Sequence, residues 1–314
     1  MSVSVPSAFR IGTLEREGDA ALDWLAQLPG LAEELLQRWD CVLDGSVTHG
    51  WVALIVPARR AGGEAAVLKV SYCHPGNVHE PIALEAWQGK GAVRLLERAD
   101  ESYAMLLERA HHETLASLAN LDDVFSTAGA LNARLTSSSA TGVLRLQDQA
   151  DAWALELERD AEDFPDALPT RATAQAFATI RDRAAHQPDA LIHGDFHPGN
   201  ILRADREPWL AVDPKGYAGD PGYDAAVMMR WFLGWLLSAG DDPDPDAALR
   251  RALQIYCEAA GVDLERGRSW TQLIAVQASF WGRRHGFETA RSGGARDRAV
   301  ELADLIATSL CATT

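Results

Sequence analysis

The sequence predicts an α+β chain of two lobes, a small antiparallel β-sheet followed by a mainly helical half, with the boundary between residues 107 and 108. Three observations predict it. The 314 residues exceed one small domain and suit two lobes sharing a cleft. From Cys41 to Leu107, short apolar runs alternate with turns containing glycine or charge. From Thr114 onward, apolar residues recur at three- and four-residue intervals, the spacing of helices packed on one face.

The leading segment, Ala20 to Trp39, places Leu22, Leu25, Leu28, Leu31, Leu35 and Leu36 at helical spacing, and Pro29-Gly30 divides it into two short helices. Cys41 to Leu43, Asp44 to Gly50 and Trp51 to Val56 read as strand, turn and strand, with Gly45 and Gly50 in the turn. After Gly62-Gly63, Ala65 to Tyr72 forms a third strand carrying Lys69. His79 to Trp87 reads as a helix holding Glu80 and Glu85. Ala92 to Leu96 and Ser102 to Leu107 are further strands, joined by the charged turn Glu97 to Glu101, which completes a five-stranded antiparallel lobe. Leu107-Glu108-Arg109-Ala110 leaves the last strand as an extended hinge, where the Glu108 and Arg109 side chains read as exposed.

In the second half, one helix runs through Val124, Ala128, Leu131 and Leu135 and another through Leu146, Ala150, Trp153 and Leu157, separated by the polar break Thr136 to Thr141. Arg171 to His186 is also amphipathic. Ala225 to Ala239 is strongly apolar, but it contains Arg230 and Gly234 and falls short of the roughly 20 residues a membrane span needs, so it reads as a buried core helix. The acidic run Asp241 to Asp246 is a linker whose last Asp caps the helix through Leu249, Leu253 and Tyr256. Ser269 to Gly286 and Ala295 to Ala312 are the final helices.

Chemistry concentrates between Leu191 and Gly216. The apolar runs Leu191-Ile192 and Ile201-Leu202 bracket a polar turn with His193, Asp195, His197 and Asn200, and a third run, Trp209 to Val212, ends on Asp213. Phosphoryl transfer needs one carboxylate to orient the attacking hydroxyl, and a second acidic ligand and an amide oxygen to hold magnesium. Asp195, Asp213 and Asn200 supply that set. The interval from Asp195 to Asn200 is five positions (200 − 195), which equals the Asp-to-Asn interval of the kinase catalytic loop. A plain strand-end turn would account for His-Gly-Asp but not for the Asn and second Asp in register. Gly194 stands where protein kinases keep an Arg that meets a phosphorylated activation loop, so the pattern describes a kinase without that switch. His197 reads as a hydrogen-bonding scaffold rather than an acid or base. Asp220 or Asp224 caps the helix after the Gly219–Asp224 turn, which braces the loop from below.

The first lobe then acquires roles. A glycine-bearing turn lets backbone N–H groups approach nucleotide phosphates, and a strand lysine neutralises them. Gly45 lies in such a turn, although a plain hairpin reads the same way. Val67-Leu68-Lys69-Val70 resembles the V-A-I-K strand of kinases, with a snorkelling edge lysine as the alternative. Glu80 is preferred to Glu85 as the Lys69 partner, because at 100° per residue Glu85 points to the opposite side of the helix. Backbone groups at Glu108 and Ala110 are the hinge contacts expected for adenine.

The whole pattern resembles the aminoglycoside phosphotransferase superfamily, and within it the streptomycin 6-kinase and hydroxyurea-resistance kinase group. The resemblance rests on His193 to Asn200, Trp209 to Gly216 and Gly219 to Asp224, joined by Leu84 to Trp87, Gly89, Gly91 to Leu96 and Met105 to Arg109, and spans Ala20 to the C-terminus. It implies a bilobal protein-kinase-like fold, with residues 1–107 as a β-rich ATP-binding lobe and 108–314 as a helical lobe bearing the catalytic loop and acceptor site. It implies transfer of the ATP γ-phosphate to a small-molecule hydroxyl, with Asp195 as base, Asn200 and Asp213 as Mg²⁺ ligands, and Lys69, partnered by Glu80, on the phosphates. The leading acceptor is an aminoglycoside such as streptomycin, which the transfer would inactivate. A metabolic hydroxyl compound such as an amino sugar, or hydroxyurea, is the alternative. A non-catalytic binding module is the third reading, opposed by the presence of base, ligands and lysine together. Pro214-Lys215-Gly216 replaces the Phe-Gly of protein kinases, which removes a Phe-flip switch, and Lys215 either reaches a phosphate or pairs with an acidic neighbour.

A formal net charge of −16 argues against a nucleic-acid partner and suits a cationic acceptor, while also serving solubility. Cys41, Cys73, Cys257 and Cys311 form no C-x-x-C pair and MSVSVPSAFR lacks an apolar leader, so a reduced, cytoplasmic chain without a membrane partner is expected. In the fold that the resemblance implies, the acceptor sits between the catalytic loop and the C-terminal helices, which makes Trp281, Arg283, Arg284 and His285 candidates. Their basic character fits a cationic acceptor poorly, and a helix end whose basic residues complement its own dipole is the preferred reading.

Overall fold

The computed structural model describes residues 2–239, 244–286 and 293–311. Two helices lead, α1 (Ser7–Glu17) and α2 (Leu22–Arg38). The second runs unbroken where Pro29-Gly30 predicted two pieces. Leu25, Leu28, Ala32 and Leu35 continue one buried stripe past the proline, while Gly30 faces solvent. An interior proline costs about 3 kcal/mol of helix stability, and the burial of that stripe offsets it.

The first sheet contains β1 (Cys41–Leu43), β2 (Thr48–His49), β3 (Ala53–Arg60), β4 (Ala65–Ser71), β5 (Leu95–Ala99) and β6 (Ala104–Glu108). Its order is β1-β3-β4-β6-β5 with β2 also on β3, all antiparallel, so it has six strands rather than five. The fifth strand is displaced from the predicted Ala92–Leu96 onto Glu97 and Arg98, which were expected in a turn. An edge strand has one side free to expose charge, and a register shift between Leu95 and Glu97 accommodates the offset. Ala92 and Val93 instead reach the second lobe, where the Val93 amide donates to the Ala211 carbonyl. Between β4 and β5 lies α3 (Glu80–Trp87).

The second lobe begins with α4 (Leu121–Leu135), β7 (Leu144–Arg145), α5 (Ala150–Asp163) and α6 (Thr170–Thr179), the last prolonged by a π-turn over Ile180–Ala184. Four short strands follow, β8 (Ala190–Ile192), β9 (Ile201–Arg203), β10 (Trp209–Ala211) and β11 (Tyr217–Gly219). β9 and β10 form a hairpin, and β8 pairs with β11, which also takes the unpredicted β7 in parallel. The chain closes with α7 (Pro221–Ala239), α8 (Pro245–Ala260), α9 (Leu264–His285) and α10 (Gly293–Ser309). Asp244, not Asp246, caps α8, its carboxylate accepting the Ala247 amide at 3.0 Å. Residues 241–243 of the predicted acidic linker, and Ala312, lie outside the described residues.

Two hydrophobic cores result. One packs α1 and α2 on the outer face of the sheet through Leu25, Leu54, Leu68 and Leu106. The other fills the helical lobe and also takes in Ala83, Leu84 and Trp87 of α3 with Met105 and Leu107 of β6. Alternation along β4 explains the division: Leu68 and Val70 face the first core, whereas Lys69 and Ser71 face α3 and the second lobe.

Candidate active site

The β8–β9 and β10–β11 connections bring the predicted loop residues together. Gly194 adopts φ +81, and a Cβ there would lie 2.6 Å from the Tyr217 ring, so neither the backbone nor the space suits a larger residue. His193 is fully buried. Its Nε2 donates to the Val212 carbonyl (3.0 Å), and its Nδ1 accepts the Asp195 amide (3.2 Å), an arrangement that needs the neutral ring. Burial accordingly pushes the imidazole down to about 4. Trp87 stacks on it at 20° between planes and anchors its own indole N–H on the Leu135 carbonyl.

Asp224 clamps the turn from α7. Its carboxylate accepts the His193 and Gly194 amides (3.0 and 2.8 Å) and the Asn132 side-chain amide (2.9 Å). Burial raises its pKa to about 6 against these bonds. Asp220 caps α7 through the Gly222 amide. The two acidic residues thus divide the tasks of capping the helix and bracing the loop. His197 accepts the Gly199 amide at Nδ1 (3.1 Å), a scaffold contact.

Asn200 donates its side-chain N–H to the Asp195 carbonyl (3.0 Å), which leaves its amide oxygen as the outward end, and its own carbonyl accepts the Val212 amide next to Asp213. Asp213 takes φ +60, and its Oδ1 accepts from Lys69 Nζ at 2.6 Å. Lys69 donates at the same time to both Glu80 oxygens (2.6 and 2.7 Å) and so joins β4, α3 and the second lobe. Glu85 is elsewhere, paired with Arg98. Burial works against the Lys69 charge, yet Asp213 and Glu80 outweigh it and raise its pKa. Lys69 in turn holds the Asp213 carboxyl well below the usual range. Burial, opposed by Lys69, brings the Glu80 carboxyl up to about 7. Lys215, close in sequence to Asp213, adds to the positive charge that keeps the Asp213 carboxyl ionised. One carboxylate and one amide oxygen form a sparse donor set. Such a set suits a hard cation that takes its remaining ligands from phosphate and water, as magnesium does, and no cluster of three or more His, Cys, Asp or Glu suited to a metal occurs among the described residues.

Gly45 sits apart from the predicted turn tip. It occupies the break between β1 and β2 with φ +145, packed against Pro57, while the hairpin tip is the segment Gly50 to Val52, closed by the Gly50 amide on the Ala53 carbonyl. The short strand Thr48–His49 extends the line of β1 and carries the turn beyond it. At the hinge, the Glu108 amide is taken by the Arg94 carbonyl and that of His111 by Arg203, whereas none of the loop backbone bonds uses the Ala110 amide. The side chains expected to be idle are not. Glu108 forms a two-point pair with Arg206 (2.9 Å each), and Arg109 grips Asp44. Burial alone would raise the Glu108 carboxyl, but the Arg206 hydrogen bonds outweigh it and hold it low.

A cleft of about 440 Å³ reaches Asp195 through Arg230 and is lined by α5, α7 and α9, with Ala299 of α10 at one side. α5 contributes Trp153, Glu156 and Asp160, α7 contributes Tyr223, Val227, Arg230 and Gly234, and α9 contributes Ile274, Gln277, Ala278 and Trp281, each a stripe at helical spacing. Of the four predicted acceptor residues, Trp281 lines this cleft. Arg283 pairs with Asp304 and Arg284 with Asp160 and Asp163, which ties α9 to α10 and α5, and the His285 ring lies against Trp281. Arg230 was predicted only as an interruption in a core helix, yet its Nη2 stands 3.7 Å from Asp195 Oδ1. A second hollow of about 320 Å³ lies against α3 and includes Glu80 and Ser71, but none of the cleft residues.

Among the described residues, no helix is long and apolar enough to cross a membrane. The family described as "Aminoglycoside/hydroxyurea antibiotic resistance kinase" matches residues 38–286. The chain is 34% identical over 287 residues to a streptomycin 6-kinase of Streptomyces glaucescens, covering 89% of this chain and 91% of that one. It is 34% identical over 288 residues to a hydroxyurea phosphotransferase of Kitasatospora aureofaciens, covering 89% and 80% respectively. Among solved structures, amicoumacin kinase hAmiN in complex with AMP-PNP, Ca²⁺ and Ami matches with a TM-score of 0.57 at 12% identity, over 88% of this chain and 92% of that one. This likeness is one of fold: a bilobal, protein-kinase-like α+β architecture. The chain belongs to the aminoglycoside/hydroxyurea antibiotic resistance kinases.

Proposed function

We propose that this kinase transfers the γ-phosphoryl group of ATP to a hydroxyl of an aminoglycoside of the streptomycin type. The observation that carries the reading is the junction of cleft and loop, since Arg230 lines the cleft and lies 3.7 Å from Asp195, so an acceptor seated among α5, α7 and α9 meets the carboxylate. Asp195 accepts the proton of the attacking hydroxyl. Lys69, oriented by Glu80, faces the nucleotide phosphates, and the Ala110 amide is the hinge donor for adenine. Asn200 and Asp213 would hold Mg²⁺, which supplies neutralising charge to the phosphate oxygens.

The cleft chemistry supports the acceptor class. Flat aromatic faces at Trp153, Tyr223 and Trp281, with Glu156 and Asp160 beside them, suit planar guanidinium groups on a sugar-like frame. A volume of about 440 Å³ falls in the range that holds drug-sized ligands and far exceeds what hydroxyurea fills. The test is steady-state phosphorylation of streptomycin, an amino sugar and hydroxyurea by the purified chain. Streptomycin should be phosphorylated well above the rate of ATP hydrolysis without acceptor, and Asp195→Ala should lower kcat roughly 10²- to 10⁴-fold while ATP binding persists. No turnover of streptomycin alongside turnover of another acceptor overturns the assignment.

A further inference from the structure

Arg230 has surroundings that packing does not explain. The run Asp224 to Met229 on α7 is buried, and Arg230 follows it with a side chain 57% exposed in the cleft. Its guanidinium is too far from Asp195 for a hydrogen bond. Among the described residues Asp195 is its only ionic partner. So loose and exposed a pair adds little stability. A cation is also out of place in a cleft whose other charged groups, Glu156 and Asp160, are acidic.

We propose that Arg230 is a further catalytic residue, which contacts the phosphoryl group in transit and carries part of its negative charge. The proposal rests on the phosphotransfer reading above. A hydroxyl poised for reaction lies within hydrogen-bond reach of Asp195, and the phosphorus stands in line beyond it. A guanidinium beside the same carboxylate oxygen is therefore within reach of the equatorial phosphoryl oxygens from the acceptor side. Lys69, bonded to Asp213, stands on the side that the proposed function gives to the nucleotide. In the step, the acceptor oxygen bonds to the γ-phosphorus, the bond from that phosphorus to the β–γ bridging oxygen breaks and releases ADP, and the hydroxyl proton passes to Asp195. Arg230 changes no bond; its planar fork meets charge that is greatest while both P–O bonds are partial.

The experiment compares wild type, Arg230→Ala and Arg230→Lys for ADP formation with and without streptomycin across pH, with a thermal melt of each. The expected result is a kcat lowered about 10²- to 10³-fold in Arg230→Ala, partly recovered in Arg230→Lys, with little change in KM for ATP or in the melt, and a parallel fall in the acceptor-free rate. Three results overturn it: an unchanged kcat, a loss confined to KM for streptomycin, or a loss that disappears when pH is raised, which would make Arg230 only a group that sets the proton affinity of Asp195. If wild type does not phosphorylate streptomycin, the acceptor assignment fails on its own, and the acceptor-free comparison still decides the role of Arg230.

Discussion

At the scale of single residues, the loop depends on two that perform no chemistry. Gly194 is required by its φ of +81 and by the Tyr217 ring 2.6 Å from any Cβ. A strained left-handed residue costs about 1–3 kcal/mol, and the ring contact adds to it, so Gly194→Ala should lower unfolding free energy by about 2 kcal/mol or more and depress kcat by moving Asp195. Chemical denaturation read beside activity checks both. His193 sets a pH limit. Its folded value of about 4 lies below the ordinary 6.5, so the unfolded chain binds the extra proton first. The stability it supplies is therefore present above pH 6.5 and lost as pH falls through 4, a span of roughly 3 kcal/mol. Glu80 and Asp224 have raised values and act with the opposite sign, losing their contribution as pH rises through about 7 and about 6. The His193 share is thus the difference from His193→Asn: melting temperature should fall more steeply for wild type between pH 6.5 and 4, and equal slopes would contradict the role. The gathering of Asp195, Asn200 and Asp213 around one turn was legible from their spacing, which the roles proposed for them would require. Arg230 was not, because an arginine in an apolar helix looks the same in sequence whether it snorkels or faces a cleft.

At the scale of elements, what the sequence concealed were features decided by contacts far along the chain. Pro29 reads locally as a break, but the stripe from Leu25 to Leu35 is buried on a sheet formed later in the chain. Glu97 and Arg98 read locally as a turn, because nothing nearby reveals that their strand lies at an edge. The clasp between lobes was hidden for the same reason. Arg206, in the β9–β10 turn, reaches back over 98 positions to Glu108 and also donates to the Gly89 and Ala92 carbonyls. Both partners are about four-fifths buried, so the pair is screened less than a surface ion pair. A double-mutant cycle on Glu108→Gln and Arg206→Lys should return a coupling energy of about 1–3 kcal/mol. A value near zero would mean that the lobes are held by α3 packing, the Lys69 bridge and the backbone bonds around Val93 and Ala211 rather than by this pair.

At the scale of the whole molecule, the cationic acceptor proposed above would make the acidic surface and the acceptor chemistry one electrostatic design. The formal charge of −16 is spread over the chain, and Glu156 lines the cleft with Asp160. Asp160 is largely matched by Arg284, and Arg230 opposes the rest, so attraction for a cation is weak at contact range and comes mainly from the long-range field. Such a field raises encounter rates of oppositely charged ligands and is lost when salt shortens its reach. Raising ionic strength from about 0.01 M to 0.15 M cuts the screening length from roughly 30 Å to 8 Å. For a dicationic acceptor such as streptomycin, kcat/KM should therefore fall severalfold over that range while kcat stays nearly constant, because a charge already seated in the cleft is screened much less. An uncharged acceptor should show no such fall. If streptomycin and an uncharged acceptor respond to salt alike, the surface charge serves solubility alone, and acceptor choice rests on the aromatic stripes of α5, α7 and α9.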